Sequence, residues 1–265
     1  MSAAPPRVLA IAGSDSSGGA GIQADIKTIA MLGGYAMTAV TAVTAQNTLG
    51  VQAIAPLSED MVREQIASCL DDIGADAIKI GMLHDAAIID AVASSIRQGP
   101  PVVLDPVMIA TSGAPLIAED AVSAMRERLF PLAMLVTPNL PELEHLAGRT
   151  LRDTEEVAGA AQALADQYGC HVLAKGGHTA DARVIDTLVG PQGFAPQLFD
   201  DAKIDTRHTH GTGCTLSAAI ATLLGHGQPL EHAVRLARQF VRAAIQAAPG
   251  FGGGSGPLGH QAVRN

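Results

Sequence analysis

Arg7-Val-Leu-Ala-Ile-Ala12-Gly-Ser-Asp-Ser-Ser-Gly-Gly-Ala-Gly21-Ile-Gln-Ala-Asp25 runs from an apolar segment through a Gly/Ser loop into a helix-forming stretch. Arg7–Ala12 is strand-sized and reads as buried, Gly13–Gly21 as the loop, and Gly21–Leu32 as a helix ended by Gly33-Gly34. This strand–loop–helix unit sets the fold class, because the same alternation recurs along the chain. Strands are expected at Asp76–Ile80, Val102–Leu104, Ala133–Val136 and His171–Ala174. Helices are expected at Ser58–Ile73, Asp85–Gln98, Ala118–Leu129, Thr154–Tyr168, Gly213–Leu224 and Glu231–Ala247. Such alternation predicts βαβ units around a mostly parallel sheet covered by helices on both faces. Tyr35–Ala45 with Val51–Pro56, and Val184–Val189 with Gln197–Phe199, read as antiparallel additions.

Composition agrees with one α/β domain over 1–265, with 1–6 and 261–265 as flexible ends. The chain is 48% hydrophobic and 16% charged, enough to bury a sizeable core. Its formal net charge is -9 and no basic run appears, which argues against a nucleic-acid partner. Cys69, Cys170 and Cys214 lie far apart, which speaks against a disulfide framework and for a reducing compartment. Met1–Pro6 has no signal-peptide pattern and no stretch reaches the ~20 apolar residues of a membrane span. The expectation is a soluble cytoplasmic protein.

The unusual residues fall where strands end. Gly13, Gly81, Asp105, Asn139 and Lys175 each follow an expected strand, and open α/β sheets bind ligands at the carboxyl ends of their strands. The Gly13–Asp25 loop fits neither familiar phosphate motif. It lacks the Gly-Lys-Ser/Thr of a P-loop, and Gly19-Ala-Gly21 is followed by no acid about 20 residues on. Asp25 either complements a helix dipole or meets a ligand. Gln46 and Asn47 suit turn chemistry or a polar contact.

His210-Gly-Thr-Gly-Cys214-Thr-Leu-Ser217 is the stronger anion site. Glycines let successive N–H groups converge, and the following helix adds free amides and its positive dipole end. Cys214, in the first turn, is a small buried residue, a base or a nucleophile; as nucleophile it would want a His such as His210. Asp105 and Glu142 are oxygen donors suited to Mg²⁺, with a solvated carboxylate as the alternative for Glu142. Asn139 is a metal neighbour or a helix cap. Lys175 meets phosphate or lies at a turn. His178, His208 and His210 form no metal spacing.

In order, Gly13–Asp25, Gln46-Asn47-Thr48, Lys79-Ile-Gly-Met82-Leu83, Asp105-Pro-Val-Met108, Thr137-Pro-Asn-Leu-Pro-Glu142, Lys175-Gly-Gly-His178 and His210–Ser217 resemble the hydroxymethylpyrimidine/phosphomethylpyrimidine kinases of thiamine biosynthesis, in the ribokinase-like superfamily. The likeness spans about Arg7 to His260. It implies a three-layer ribokinase-like α/β fold with a small β element near the substrate. It also implies two phosphoryl transfers from MgATP, to an aminopyrimidine and then to its monophosphate, by a homodimer. In that resemblance Gly211, Thr212, Gly213 and Cys214 form the anion hole, and Cys214 is the base, its thiol lowered by the helix start. Lys175 neutralises phosphate. Glu142, Asn139 and Asp105 organise Mg²⁺. Gln46, Asp25, Gly13, Met82 and Val107 contact the pyrimidine. Some relatives active on pyridoxal carry a second cysteine after Asp-Pro-Val-Met, where this chain has Ile109-Ala110-Thr111. A pyridoxal or bifunctional kinase is the nearest alternative. A non-catalytic pyrimidine- or nucleotide-binding regulator, and a cysteine hydrolase, are alternatives of other classes.

Overall fold

A computed structural model describes residues 4–96, 99–108, 117, 119–177 and 182–263. His178, the Ile109-Ala110-Thr111 segment and the ends 1–3 and 264–265 lie outside these. One nine-stranded sheet runs through the structure in the order β3-β2-β1-β4-β5-β6-β7-β8-β9. Its strands are β1 Arg7–Asp15, β2 Tyr35–Asn47, β3 Gly50–Pro56, β4 Ala77–Ile80, β5 Val102–Leu104, β6 Leu135–Val136, β7 His171–Ala174, β8 Arg183–Val189 and β9 Gln197–Ala202. From β2 through β7 every neighbouring pair is parallel. Strands β3, β8 and β9 are added antiparallel at the two edges.

Eight α-helices lie among the described residues: α1 Gly21–Met31, α2 Glu59–Asp72, α3 Ala86–Ser95, α4 Glu119–Arg128, α5 Leu140–Ala147, α6 Thr154–Tyr168, α7 Thr212–Gly225 and α8 Leu230–Gln246. Strand alternation sends side chains to opposite faces, so each parallel strand feeds two cores. On β1, Leu9 and Ile11 join the core under α2 to α6, while Val8 and Ala10 join the core under α1, α7 and α8. The result is the three-layer α/β arrangement expected from the alternation. No helix among the described residues is long and apolar enough to cross a membrane.

Local chemistry explains most boundaries. The side chains of Ser58, Asp85 and Asp153 cap α2, α3 and α6 by accepting the amides of Met61, Ile88 and Glu156. Asp85, read from sequence as the first helical residue, is therefore the cap. The sequence reading marks helix α5 only through Asn139 as a helix cap and gives it no span; Pro141 sits in its first turn, where a missing N–H costs nothing. Asn139 and Glu142 close a reciprocal capping box at 2.9 and 2.8 Å. Near the carboxyl end, Gln261 and Ala262, expected in a flexible tail, lie in a 3-10 turn, His260–Ala262. The buried His260 anchors that turn through a 2.8 Å bond between its Nε2 and Thr215 Oγ1 of α7.

Candidate active site

Five parallel strands, β1, β4, β5, β6 and β7, end side by side. A cavity of about 670 Å³ opens along this edge. Every site residue expected from sequence lines it, with the exception of Asp25. That residue is fully buried and bonds Lys79 Nζ through Oδ2 at 2.8 Å. The contact with a pyrimidine amine expected of Asp25 is thus corrected: the carboxylate lies behind the wall, because α1 turns it inward onto the sheet.

At one end of the cavity stand Gly13, Gln46, Met82 and Val107. Gly13 donates its amide to the Met82 carbonyl at 3.2 Å, and a Cβ on Gly13 would lie 3.3 Å from the Met82 sulfur. The two therefore form a flat apolar floor. Gln46 sits where the antiparallel β2–β3 pair projects beyond the parallel sheet. Its main chain is fixed by Ser16 Oγ, which accepts from Gln46 N at 2.9 Å and donates to Gln46 O at 2.8 Å. Its carboxamide oxygen accepts from Thr44 Oγ1 at 3.2 Å. Asn47 has a turn role, accepting the Leu49 amide at 2.9 Å.

The middle of the cavity carries the charges. Lys175 Nζ donates to Asp105 Oδ1 at 2.7 Å, and Thr137 Oγ1 donates to the same oxygen at 3.1 Å. Burial opposes the Lys175 charge, but Asp105 and Glu142 outweigh it and hold the ammonium protonated above the ordinary lysine range. Glu142 is pushed up to about 7, first by burial and then by the charge of Asp105, with Lys175 opposing. Asn139 caps α5 and faces the same space.

Helix α7 begins beside this group. Gly211 is its N-cap, at φ 86°, and a Cβ there would fall 1.9 Å from the Gly19 carbonyl oxygen. Only glycine meets both demands. The amides of Gly213 and Cys214 have no backbone acceptor among the described residues. Thr212 N instead donates to Thr209 O at 3.2 Å, so one of the four expected cradle amides is already engaged. We expect Gly211→Ala to destabilise the fold by about 2 kcal/mol, read as a Tm lowered by roughly 4–8 °C. An unchanged melting curve would show that the turn tolerates a side chain.

Cys214 is half-buried in the cavity wall. Withdrawal from water pushes its thiol up to about 11, against the pull of Lys79 and of the Gly21 amide. The sequence expectation of a thiol lowered by the helix start is reversed, because desolvation, with Asp25 and Asp105, exceeds the pull of Lys79 and the Gly21 amide. His210 is not a partner for the sulfur. Its Nε2 lies 2.8 Å from Asp15 Oδ2. Asp15 also takes the amides of Ser17, Gly19 and Ala20. Burial opposes the Asp15 charge, yet His210, Ser17 and Ala20 hold its carboxyl below the usual range. The pair ties the Gly13–Gly21 loop to the turn before α7.

Sequence reasoning missed the far end of the cavity. Val184, Ile204, Val241 and Ile245 form an apolar slot there. Beneath it Arg238 Nε pairs with Asp186 Oδ2 at 2.9 Å, and Asp186 Oδ1 accepts the Gly176 amide at 2.7 Å. One signal was present: a lone Asp in Val184-Ile-Asp186-Thr-Leu-Val189, and an Arg on the inward stripe of α8.

A parallel α/β sheet whose carboxyl edge holds a lysine, two buried carboxylates and a glycine-capped helix defines a phosphate-handling enzyme of ribokinase-like architecture. A family model described as phosphomethylpyrimidine kinase matches residues 15–259, and the chain belongs to that family. It is 42% identical over 260 residues to the hydroxymethylpyrimidine/phosphomethylpyrimidine kinase of Bacillus subtilis, covering 97% of this chain and 96% of that protein. It is 46% identical over 255 residues to the thiamine biosynthesis bifunctional protein ThiED of Geobacter sulfurreducens, covering 96% of this chain but spanning only 52% of that longer protein. Among solved structures, an ADP complex of Bacillus subtilis pyridoxal kinase superposes with a TM-score of 0.89 at 36% identity, covering 97% of this chain and 98% of that one.

Proposed function

We propose that this chain transfers the γ-phosphoryl group of ATP to 4-amino-5-hydroxymethyl-2-methylpyrimidine, and then a second one to the monophosphate, in thiamine diphosphate biosynthesis. The observation that carries the reading is the cavity that joins Gln46, Gly13, Met82 and Val107 to a lysine-and-amide centre. The names of the relatives support this substrate over pyridoxal.

Phosphoryl transfer asks a protein mainly for positioning and for charge stabilisation. Gln46, which both donates and accepts, suits the ring nitrogen and exocyclic amine of an aminopyrimidine. Gly13, Met82 and Val107 hold the ring face. Cys214, as the thiolate, takes the proton of the hydroxymethyl group on Sγ as its oxygen bonds to the γ-phosphorus. The bond from that phosphorus to the bridging oxygen breaks, and ADP leaves. The Gly211, Gly213 and Cys214 amides and Lys175 meet the charge on the phosphoryl oxygens. In the second transfer the nucleophile is a phosphate oxygen, already anionic. The apolar slot at Val184, Ile204, Val241 and Ile245 suits the adenine.

The donor set fits Mg²⁺. No cluster of three or more His, Cys, Asp or Glu able to cage a metal occurs among the described residues. Burial and the charge of Asp105 nevertheless push Glu142 up, a crowding of buried carboxylates that a cation would relieve. Mg²⁺ keeps waters and takes one or two carboxylates plus substrate phosphates rather than an all-protein cage. Glu142 and Asp105 would supply those carboxylates, with Asn139 orienting Glu142. Bound there, the ion would neutralise phosphate charge. We further propose that the enzyme is cytoplasmic and homodimeric.

The test is a coupled ADP-release assay with the hydroxymethylpyrimidine, its monophosphate and pyridoxal in parallel. Turnover of the first two above pyridoxal is expected. ATP use only with pyridoxal would replace the substrate, and binding without turnover would favour a regulator. Gln46→Ala should raise the pyrimidine KM about 5–30-fold, the loss of one or two hydrogen bonds, with a smaller change in the ATP KM. Equal changes in both would remove Gln46 from the ring site.

A further inference from the structure

Strand β4 is four buried residues, Ala77-Ile78-Lys79-Ile80, and Lys79 is among the largest fully buried side chains of the protein. Ile78 and Ile80 face the α2–α6 core, so Lys79, with Ala77, points into the layer of α1, α7 and α8. Its Nζ lies at the carboxyl edge of the sheet, where a Cβ on Gly81 would come within 2.7 Å of it. Its partner there is Asp25 Oδ2 at 2.8 Å, while Asp25 Oδ1 has no hydrogen-bond partner among the described residues. One helical turn earlier on the same face of α1, Gly21 lines the cavity together with Cys214, and its amide favours the thiolate. Helix α7, which carries Cys214, packs directly on both α1 and β4. The buried ion pair therefore lies behind the sulfur.

A fully buried ion pair is expensive to desolvate, and an apolar pair of similar volume would pack at least as well. Its place beside Cys214 gives it a chemical role. We propose that Lys79, held by Asp25, is the counter-charge that stabilises the Cys214 thiolate, and so acts as a positioning residue for proton abstraction in the first phosphorylation. This rests on the reading of Cys214 as the base. The charged groups facing the sulfur are Lys79 from β4, Asp25 from α1, Asp105 beyond β5 and Lys175 beyond β7. The two lysines favour the thiolate and the two carboxylates oppose it. Asp25 thus holds the cation in place and also tempers it. Burial opposes the Lys79 charge, but Asp25, Cys214 and Asp105 outweigh it and keep it protonated.

The opposite signs make the test. Alkylation of Cys214 by iodoacetamide, followed on its own peptide by mass spectrometry across pH 7–9.5, reports the thiolate population independently of turnover. Lys79→Met should slow it by about tenfold or more at pH 8, the equivalent of one pKa unit. Asp25→Asn should speed it, because the cation then faces the sulfur with less compensation. A residue that only supports the fold would move both rates the same way. Same-direction changes, or rates within about twofold of the parent in both variants, overturn the proposal. Where Lys79→Met does not fold, the neutral pair Lys79→Met/Asp25→Leu replaces it: a slowed rate is expected and a parental rate overturns. Full first-step activity in Cys214→Ala would instead overturn the base reading and leave the alkylation result standing.

Discussion

Cys214→Ala should slow the first phosphorylation by about 10²–10⁴-fold, the usual worth of a general base, while ATP binding stays close to that of the parent. The loss belongs in kcat, because the sulfur acts on a proton that moves only in the transition state. The second phosphorylation should fall much less, since a phosphate monoester already attacks as an oxyanion. A pH dependence follows from the burial that pushes the thiol up to about 11. Below that value the thiolate fraction grows tenfold per pH unit, so first-step kcat/KM should rise from pH 6.5 towards 9. Cys214→Ala should flatten that rise. Equal losses in the two steps, or a rise that persists in the alanine variant, would take the base role away from Cys214.

Lys175→Ala should act on both steps alike, each falling by about 10²–10³-fold, as when one stabilising donor is removed from a transition state. The lysine reaches the cavity from the end of β7 and is positioned by Asp105 at 2.7 Å. Both transfers move a phosphoryl group past that point, whichever nucleophile attacks. Lys175→Arg should recover little, because a planar fork cannot replace a compact ammonium packed between Asp105 and the start of α7, where a Cβ on Gly213 would sit 3.2 Å from Nζ. The two steps measured separately in Cys214→Ala and Lys175→Ala thus distinguish proton transfer from charge stabilisation. A loss confined to one step in the lysine variant would place Lys175 at a nucleophile rather than at the transferred group.

The contrast between α5 and α7 shows how much of the site was legible. Helix α7 announces itself through Gly-Thr-Gly followed by an unbroken helix-forming run; expected from Gly213, it opens one residue earlier, at Thr212, with Gly211 as its cap. Helix α5 was legible only through Asn139 as a helix cap; the reciprocal bond from Asn139 N to Glu142 that closes the box depends on geometry. The same pair was legible as oxygen donors beside the cavity, but their bond to each other was not. His210 shows the limit most clearly. Four residues from Cys214 in the chain, it turns instead to Asp15, 195 residues away.

The order of strands and helices, the residues that end each parallel strand and the glycine-opened helix follow from local sequence, because periodicity and turn chemistry act over a few residues. Which charges meet is settled by packing. Asp25 lies behind the cavity wall rather than in it because α1 rotates it onto Lys79. Arg238 and Asp186 meet only when α8 docks beside β8. The direction of the Cys214 shift depends on how much water the assembled layers exclude, a tertiary quantity that outweighs the pull of Lys79 and the Gly21 amide.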